Sequence, residues 1–196
     1  MVETYLDEEY PKIRRRAKAR KASIFFADES TIRSDYQSGT TWAPKGKTPI
    51  VKTAGARFKV NMLSAISAKG ELRLMLTEKG LSADLFIEFL KRLIVGVNHP
   101  VFLILDGHPA HRSAKVRKFV ESTEGELELY FLPGYSPEPN PDETVWSYVK
   151  HHSVGKEIIT GPSQFHLLVL GALRRLRKSP CMVRNFFKAK DVRYAI

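Results

Sequence analysis

The stretch VFLILD, residues 101–106, constrains the fold more than any other part of the chain. Its unbroken apolar run offers no strand face to water, so the strand must be covered on both sides, as inner strands of parallel sheets are. Parallel neighbours need helical crossovers, and the flanking sequence supplies them. Leu81, Leu85, Phe86, Phe89, Leu90, Leu93, Ile94 and Val97 recur at helical spacing, with Asp84, Glu88, Lys91 and Arg92 on the opposite face and Ser82 as N-cap. A second helix is expected from Ser113, burying Val116, Phe119 and Val120, followed by a strand at LELYFLP, 127–133. Upstream, SIFFADE (23–29), TPIVKTA (48–54), RFKVNMLSAIS (57–67) and ELRLMLTEK (71–79) read as strands, with Gly70 turning between the last two. Further helices are expected after Pro141, over 162–178 and over 182–190. Strands that come first and then alternate with helices predict a mixed sheet with helices on both faces, an α/β layered domain.

Composition narrows the partners. The 196 residues carry a net charge of +11, and basic residues cluster. Residues 12–21 hold Lys12, Arg14, Arg15, Arg16, Lys18, Arg20 and Lys21 without an acid, and 33–59 and 174–193 are similarly basic. That balance favours a polyanionic partner over mere solvation. No apolar run approaches the roughly 18 residues of a membrane span, which predicts no membrane partner. A single cysteine, Cys181, rules out an internal disulfide framework and suits a reducing cytoplasm.

Asp28 and Asp106 each close an apolar run, which places them at the strand ends where open α/β sheets bind ligands. If the strands are adjacent and parallel, both carboxylates face one crevice. Clustered carboxylates repel and suit a hard divalent cation, and a third would come from the helix that begins in SPEPNPDETVWSYVK, 136–150. That helix start also reads as plain capping: Asn140 as N-cap, Pro141 in the first turn and Glu143 completing a capping box. Helical phase relative to Val145, Trp146 and Val149 turns Asp142 nearer the buried face than Glu143, so periodicity alone leaves both acids open.

Four motifs carry a resemblance: FADES (26–30), RSDYQSGTTWAPKGKTP (33–49), LILDGHPAHRS (103–113) and LPGYSPEPNPDETVWSYVK (132–150). Together they resemble the catalytic domain of bacterial insertion-sequence transposases of the mariner superfamily. The resemblance implies a ribonuclease H-like fold and an Asp–Asp–Glu metal triad, falling on Asp28, Asp106 and Glu143. Residues 107–142, thirty-six in all, separate the last two, close to the short spacing of that superfamily. Asp142 and Pro139 depart from the family pattern without removing a triad member. The implied cofactor is Mg²⁺, two ions, with Mn²⁺ able to substitute. The implied partners are double-stranded DNA (element ends and target), a second copy of the chain on DNA, and an upstream helix-turn-helix product. The implied setting is the bacterial cytoplasm, at the nucleoid. Residues 1–21 then read as an inter-domain remnant, 22–160 as the catalytic domain and 161–196 as a basic helical extension.

Other candidates for DNA contact are Arg33, Trp42, Lys45, Lys47, His108, His111 and Arg112. Bland readings compete: His108 and His111 as water-exposed loop histidines, Trp42 as a core anchor. Two other functions stay open, an inactive or partial transposase fragment that only binds DNA and a structure-selective nuclease of the same fold.

Overall fold

A computed structural model describes residues 2–35, 44–47, 57–134, 140–154 and 159–196. The expected strand at 48–54, Trp42 and Glu138 lie outside the described residues. A short helical lead-in, Val2–Thr4 and the π-helical Tyr5–Glu9, runs into α1 (Tyr10–Arg20). Then follow β1 (Ser23–Arg33), β2 (Lys59–Ile66), β3 (Leu72–Thr77), α2 (Ala83–Ile94) and β4 (Val101–Leu105). The chain continues with α3 (Ala114–Glu121), β5 (Leu127–Phe131), α4 (Glu143–His152), α5 (Pro162–Arg177) and α6 (Pro180–Phe186), and ends in a 3₁₀ turn, Lys190–Ala195.

The five strands form one sheet in the order β3-β2-β1-β4-β5. β1, β4 and β5 are parallel, and β2 and β3 run antiparallel as a meander off β1. All five residues of β4 are buried, as its unbroken apolar sequence requires. The helix starts at Ser82 and Ser113 form as expected, each hydroxyl accepting the backbone N–H three residues on, from Leu85 and Val116. Such caps contribute about 1 kcal/mol each.

Alternation along the strands divides the core in two. Phe25, Ala27, Leu103 and Leu105 pack with α2 and α3 through Phe86, Phe89, Leu90 and Val116. Phe26, Phe102 and Ile104 pack on the other face with Trp146, Phe165, Leu173 and Phe187 from α4, α5 and the turn after α6. Residues of the N-terminal helical segment belong to this second core. Tyr5, Tyr10, Ile13 and Ala17 are buried in it, and the Tyr10 ring meets Tyr194 edge-on at 4.8 Å. Tyr10 Oη donates to the Ala195 carbonyl at 3.2 Å, tying the first helix to the last turn. Burial raises the Tyr10 hydroxyl to about 12. Residues 2–21 therefore contribute to the sheet's covering layer as well as leading into β1.

One expectation about β1 changes. The strand does not stop at Asp28 but continues to Arg33, paired with β2 as far as Arg33↔Lys59. What stops near Asp28 is the pairing with β4, whose last registered pair is Phe26↔Ile104.

Tyr10→Phe removes one hydrogen bond and is expected to cost about 0.5–1.5 kcal/mol in urea unfolding. Tyr10→Ala also empties part of the aromatic cluster and is expected to cost about 3–5 kcal/mol. Equal, near-zero losses for both would show that α1 does not stabilise the sheet.

Candidate active site

The parallel register of β1 and β4 places Asp28 and Asp106 level, each two residues beyond the last registered pair. Asp28 shares a sheet face with Phe26, the face covered by α4. Its Oδ2 accepts the Trp146 indole N–H at 3.0 Å. Asp28, Asp106 and Glu143 line one cavity of about 570 Å³, together with His108, Pro133 and Asn140.

The start of α4 settles the geometry of the two neighbouring acids. Asn140 bridges to the sheet: its Nδ2 donates to the Ala27 carbonyl at 3.1 Å, while its Oδ1 accepts the Asp142 N–H at 3.1 Å. Asp142 is fully buried and bonded to the Ser64 hydroxyl of β2, the residue opposite Asp28 in register. Its second carboxyl oxygen has no hydrogen-bond partner among the described residues. Glu143, one residue on, is exposed and opens into the cavity. The expected capping box is replaced by a different arrangement. Asn140 still caps by taking the Asp142 N–H, but the regular helix begins only at Glu143, after i→i+3 turns closed by Glu143 N–H on Asn140 and Thr144 N–H on Pro141. Phase analysis had turned Asp142 inward, and inward it lies.

The carboxyls differ in electrostatics. Burial, then the Glu143 charge, pushes Asp28 up to about 8, with the Trp146 hydrogen bond opposing. Burial holds Asp142 well above the ordinary carboxylate range. Asp106 moves the other way, lowered chiefly by the hydrogen bond from His111. An all-oxygen set at the open end of a sheet, with two members in mutual repulsion, fits a hard divalent cation. Asp142 lies apart from that set, buried and bonded to Ser64 rather than lining the cavity.

His111 departs from its expected exposure. It is 2% exposed, its ring 4.3 Å from that of Phe86 and tilted 43° to it. Its Nδ1 lies 2.9 Å from Asp106 Oδ1, and its Nε2 lies 3.4 Å from Glu29 Oε2. Glu29, Asp106 and His111 each bring one ligand atom within 4.8 Å of the others. Asp106 thus stands between two groups, Asp28 with Glu143 on the α4 face and Glu29 with His111 on the α2 face. Sequence reasoning passed over Glu29. The signal was strand alternation in FADES, which sends neighbouring acids to opposite faces.

The remaining candidates scatter. His108 is exposed at the cavity wall, its Nδ1 accepting the Ala110 N–H at 3.2 Å. The Arg112 guanidinium lies 4.4 Å over the Phe131 ring, beside Gly107. Arg33 is paired with Asp35 at 2.6 Å, and Arg57 reaches the same carboxylate at 3.2 Å. Lys45 and Lys47 are exposed in a turn closed by the Lys47 N–H on the Pro44 carbonyl at 3.0 Å, with Gly46 at φ +82°.

The sequence pattern of the DDE superfamily endonucleases matches residues 23–163. The chain belongs to this family. The matched span holds all five strands of the sheet and the three cavity carboxylates. Among solved structures, the chain is similar to the Mos1 transposase paired-end complex with the left transposon end: TM-score 0.61, 14% identity, 96% of this chain and 61% of that one. The Mos1 mariner paired-end complex with Mn gives a TM-score of 0.64, 14% identity, and 95% and 60% coverage. The Mos1 mariner catalytic domain alone gives 0.53, 13% identity, and 90% and 88% coverage. At such identities the likeness establishes a shared ribonuclease H-like fold. The chain spans about three fifths of the length of the Mos1 chains in the paired-end complexes. No curated protein matches. Among the described residues, no helix is long and apolar enough to cross a membrane.

Two outcomes are expected. The folded protein holds the Asp142 proton more tightly than the unfolded chain, so this residue's contribution to stability is full below about pH 4 and falls as pH rises towards its raised folded value. Asp142→Asn should therefore stabilise the protein at neutral pH relative to wild type, with the advantage vanishing near pH 4, measured by urea unfolding across pH. A constant difference would mean that Asp142 is ionised in its buried position. His111→Ala should let the Asp106 carboxyl rise back towards its ordinary range, read by carboxyl NMR titration.

Proposed function

We propose that this chain is the catalytic part of a mariner-type DNA transposase, cutting at element ends and joining the freed 3′-OH to target DNA. The observation that carries the reading is the convergence of Asp28, Asp106 and Glu143, from three separate elements, on one cavity in a DDE endonuclease domain. Likeness to Mos1 paired-end and strand-transfer complexes supports the choice of transposition over simple hydrolysis.

In this reading the three carboxylates hold divalent metal, two Mg²⁺ ions or Mn²⁺ in their place. Bound there, the ions would activate the attacking oxygen and stabilise the leaving one. Asp28 is shared with the Trp146 indole, which fixes the carboxylate's rotation. His111 holds Asp106 through Nδ1, with Glu29 behind it, so that the Asp106 carboxylate is aimed before any substrate arrives. We assign His111 a positioning role and leave the buried Asp142 outside the ligand set. Cleavage transfers a phosphoryl group from the element's 3′-oxygen to water. Joining forms one P–O bond to that 3′-OH and breaks one in the target, so phosphodiesters are conserved. Duplex DNA is the substrate, and a second copy of the chain would serve the second end.

The test is an end-cleavage and joining assay with Mg²⁺ and Mn²⁺. Asp106→Asn and Glu143→Gln are expected to lose roughly 10³-fold or more of cleavage, the scale of several kcal/mol of transition-state stabilisation. Duplex binding should persist in both. Asp142→Asn should cut at near wild-type rate. Full activity in Glu143→Gln with loss in Asp142→Asn would reverse the assignment, and cleavage with no joining would leave a nuclease.

A further inference from the structure

Helical phase sorts the basic cluster at 12–21 into groups with different fates. Tyr10, Ile13 and Ala17 face the core. On one flank Arg16 and Arg20 reach across to β5, where both pair with Glu128, and Arg20 also donates to the Gly125 carbonyl at 3.0 Å. Lys12 pairs with Glu8 at 3.7 Å. On the other flank Arg14 and Lys18, four residues apart, face a concavity of about 270 Å³ closed by the β2–β3 turn. That turn contributes Lys69.

This concavity has three features of a built anion site. First, three cationic residues line it, and no carboxylate does among the described residues. The nearest acid in sequence, Glu71, stands beside the turn rather than in the lining, and accepts from the Ser67 hydroxyl at 3.0 Å. Second, hydroxyls form its floor. Ser23 is 2% exposed, and its Oγ accepts from Lys69 Nζ at 3.2 Å and lies 2.7 Å from His99 Nε2. Third, the turn is fixed. Gly70 has φ +93°, and a Cβ there would stand 2.5 Å from the Pro180 carbonyl oxygen, so the turn presses on the start of α6. Arg184 of α6 donates to the Lys69 carbonyl at 3.3 Å. A lysine on a pinned turn loses less freedom on binding than one on a free loop.

Its place in the fold decides what it can hold. Ser23 opens β1, five residues before Asp28. At about 3.3 Å per residue the two residues lie roughly 16 Å apart along the strand. At about 3.4 Å per base pair that separation is roughly five base pairs, so phosphates bound here lie on a different stretch of backbone from those at the catalytic cavity.

We propose that Arg14, Lys18 and Lys69 form a second phosphate-binding site, which takes duplex backbone at about 16 Å from the catalytic carboxylates. The proposal rests on the DNA-processing reading above. Its recognition is sequence-independent, because phosphate contacts position a duplex without reading bases.

The test uses the full chain and a 30-base-pair duplex of arbitrary sequence. Arg14→Gln/Lys18→Gln/Lys69→Gln is compared with wild type and with Lys118→Gln/Lys188→Gln/Lys190→Gln, an equal charge loss elsewhere. Thermal unfolding checks that all three fold. The first variant should lower the slope of log affinity against log salt by about 0.9 per lost phosphate contact, up to about 3, while the control stays near wild type. A second readout uses the sole cysteine, exposed Cys181, next to Pro180. An Fe–EDTA tether there should cut bound duplex in the wild type and not in the first variant. Equal slope changes in both variants would mean diffuse charge and overturn the site. So would an absence of tethered cuts on a duplex that is bound. A chain that binds no duplex overturns this site and the proposed function together, whereas one that binds and cleaves ends with the slope unchanged overturns this site alone.

Discussion

The cavity depends on the parallel pairing of β1 with β4. Two neighbouring strands that are buried on both faces must both be apolar until they leave the sheet's interior, and the first polar residue of each then falls at the same height. Asp28 and Asp106 are those residues. The pairing needs helices on both faces to keep it dry, and the two core clusters supply them. Disturbing either layer would move the carboxylates relative to one another. Residues as distant as Tyr10 and Phe86 therefore share in the geometry of the site.

The two faces also treat the carboxyls differently. On the α4 face Asp28 is half-buried beside Glu143 and is pushed up. Towards the α2 face, Asp106 is hydrogen-bonded by a buried histidine and is held down. Environments that drive neighbouring acids apart are a feature of sites that handle protons or metals, although structural ion-pair networks can do the same. Here the cause is visible as packing, because a strand residue inherits whichever helix layer its side of the sheet carries.

Much of this was legible in the sequence. The apolar run at 101–106, the helical period at 81–97 and the serine caps were readable because each is a local pattern with one physical solution. The level placement of Asp28 and Asp106 was readable only on the condition that their strands pair. Three things were not. The extension of β1 to Arg33 depends on β2, a partner 26 residues further along in sequence. The burial of His111 depends on Phe86, which only the fold brings near. Glu29 was hidden because alternation is informative only once the opposite face is known to be occupied by a histidine. The choice between Asp142 and Glu143 fell between these cases: phase pointed Asp142 inward, but only the Ser64 contact shows where inward leads.

That contact gives β2 an unexpected office. The strand contributes no carboxylate to the cavity, yet its Ser64 anchors the first turn of α4 through the residue next to Glu143. The third corner of the triangle is thus surveyed from a strand outside it. A side chain at position 64 that is too large, or that cannot hydrogen-bond, would swing the glutamate without touching any acid. Variation in the meander, the part of the sheet furthest from the chemistry in sequence, is then a route by which the spacing of the acidic centre can drift while all its members remain in place.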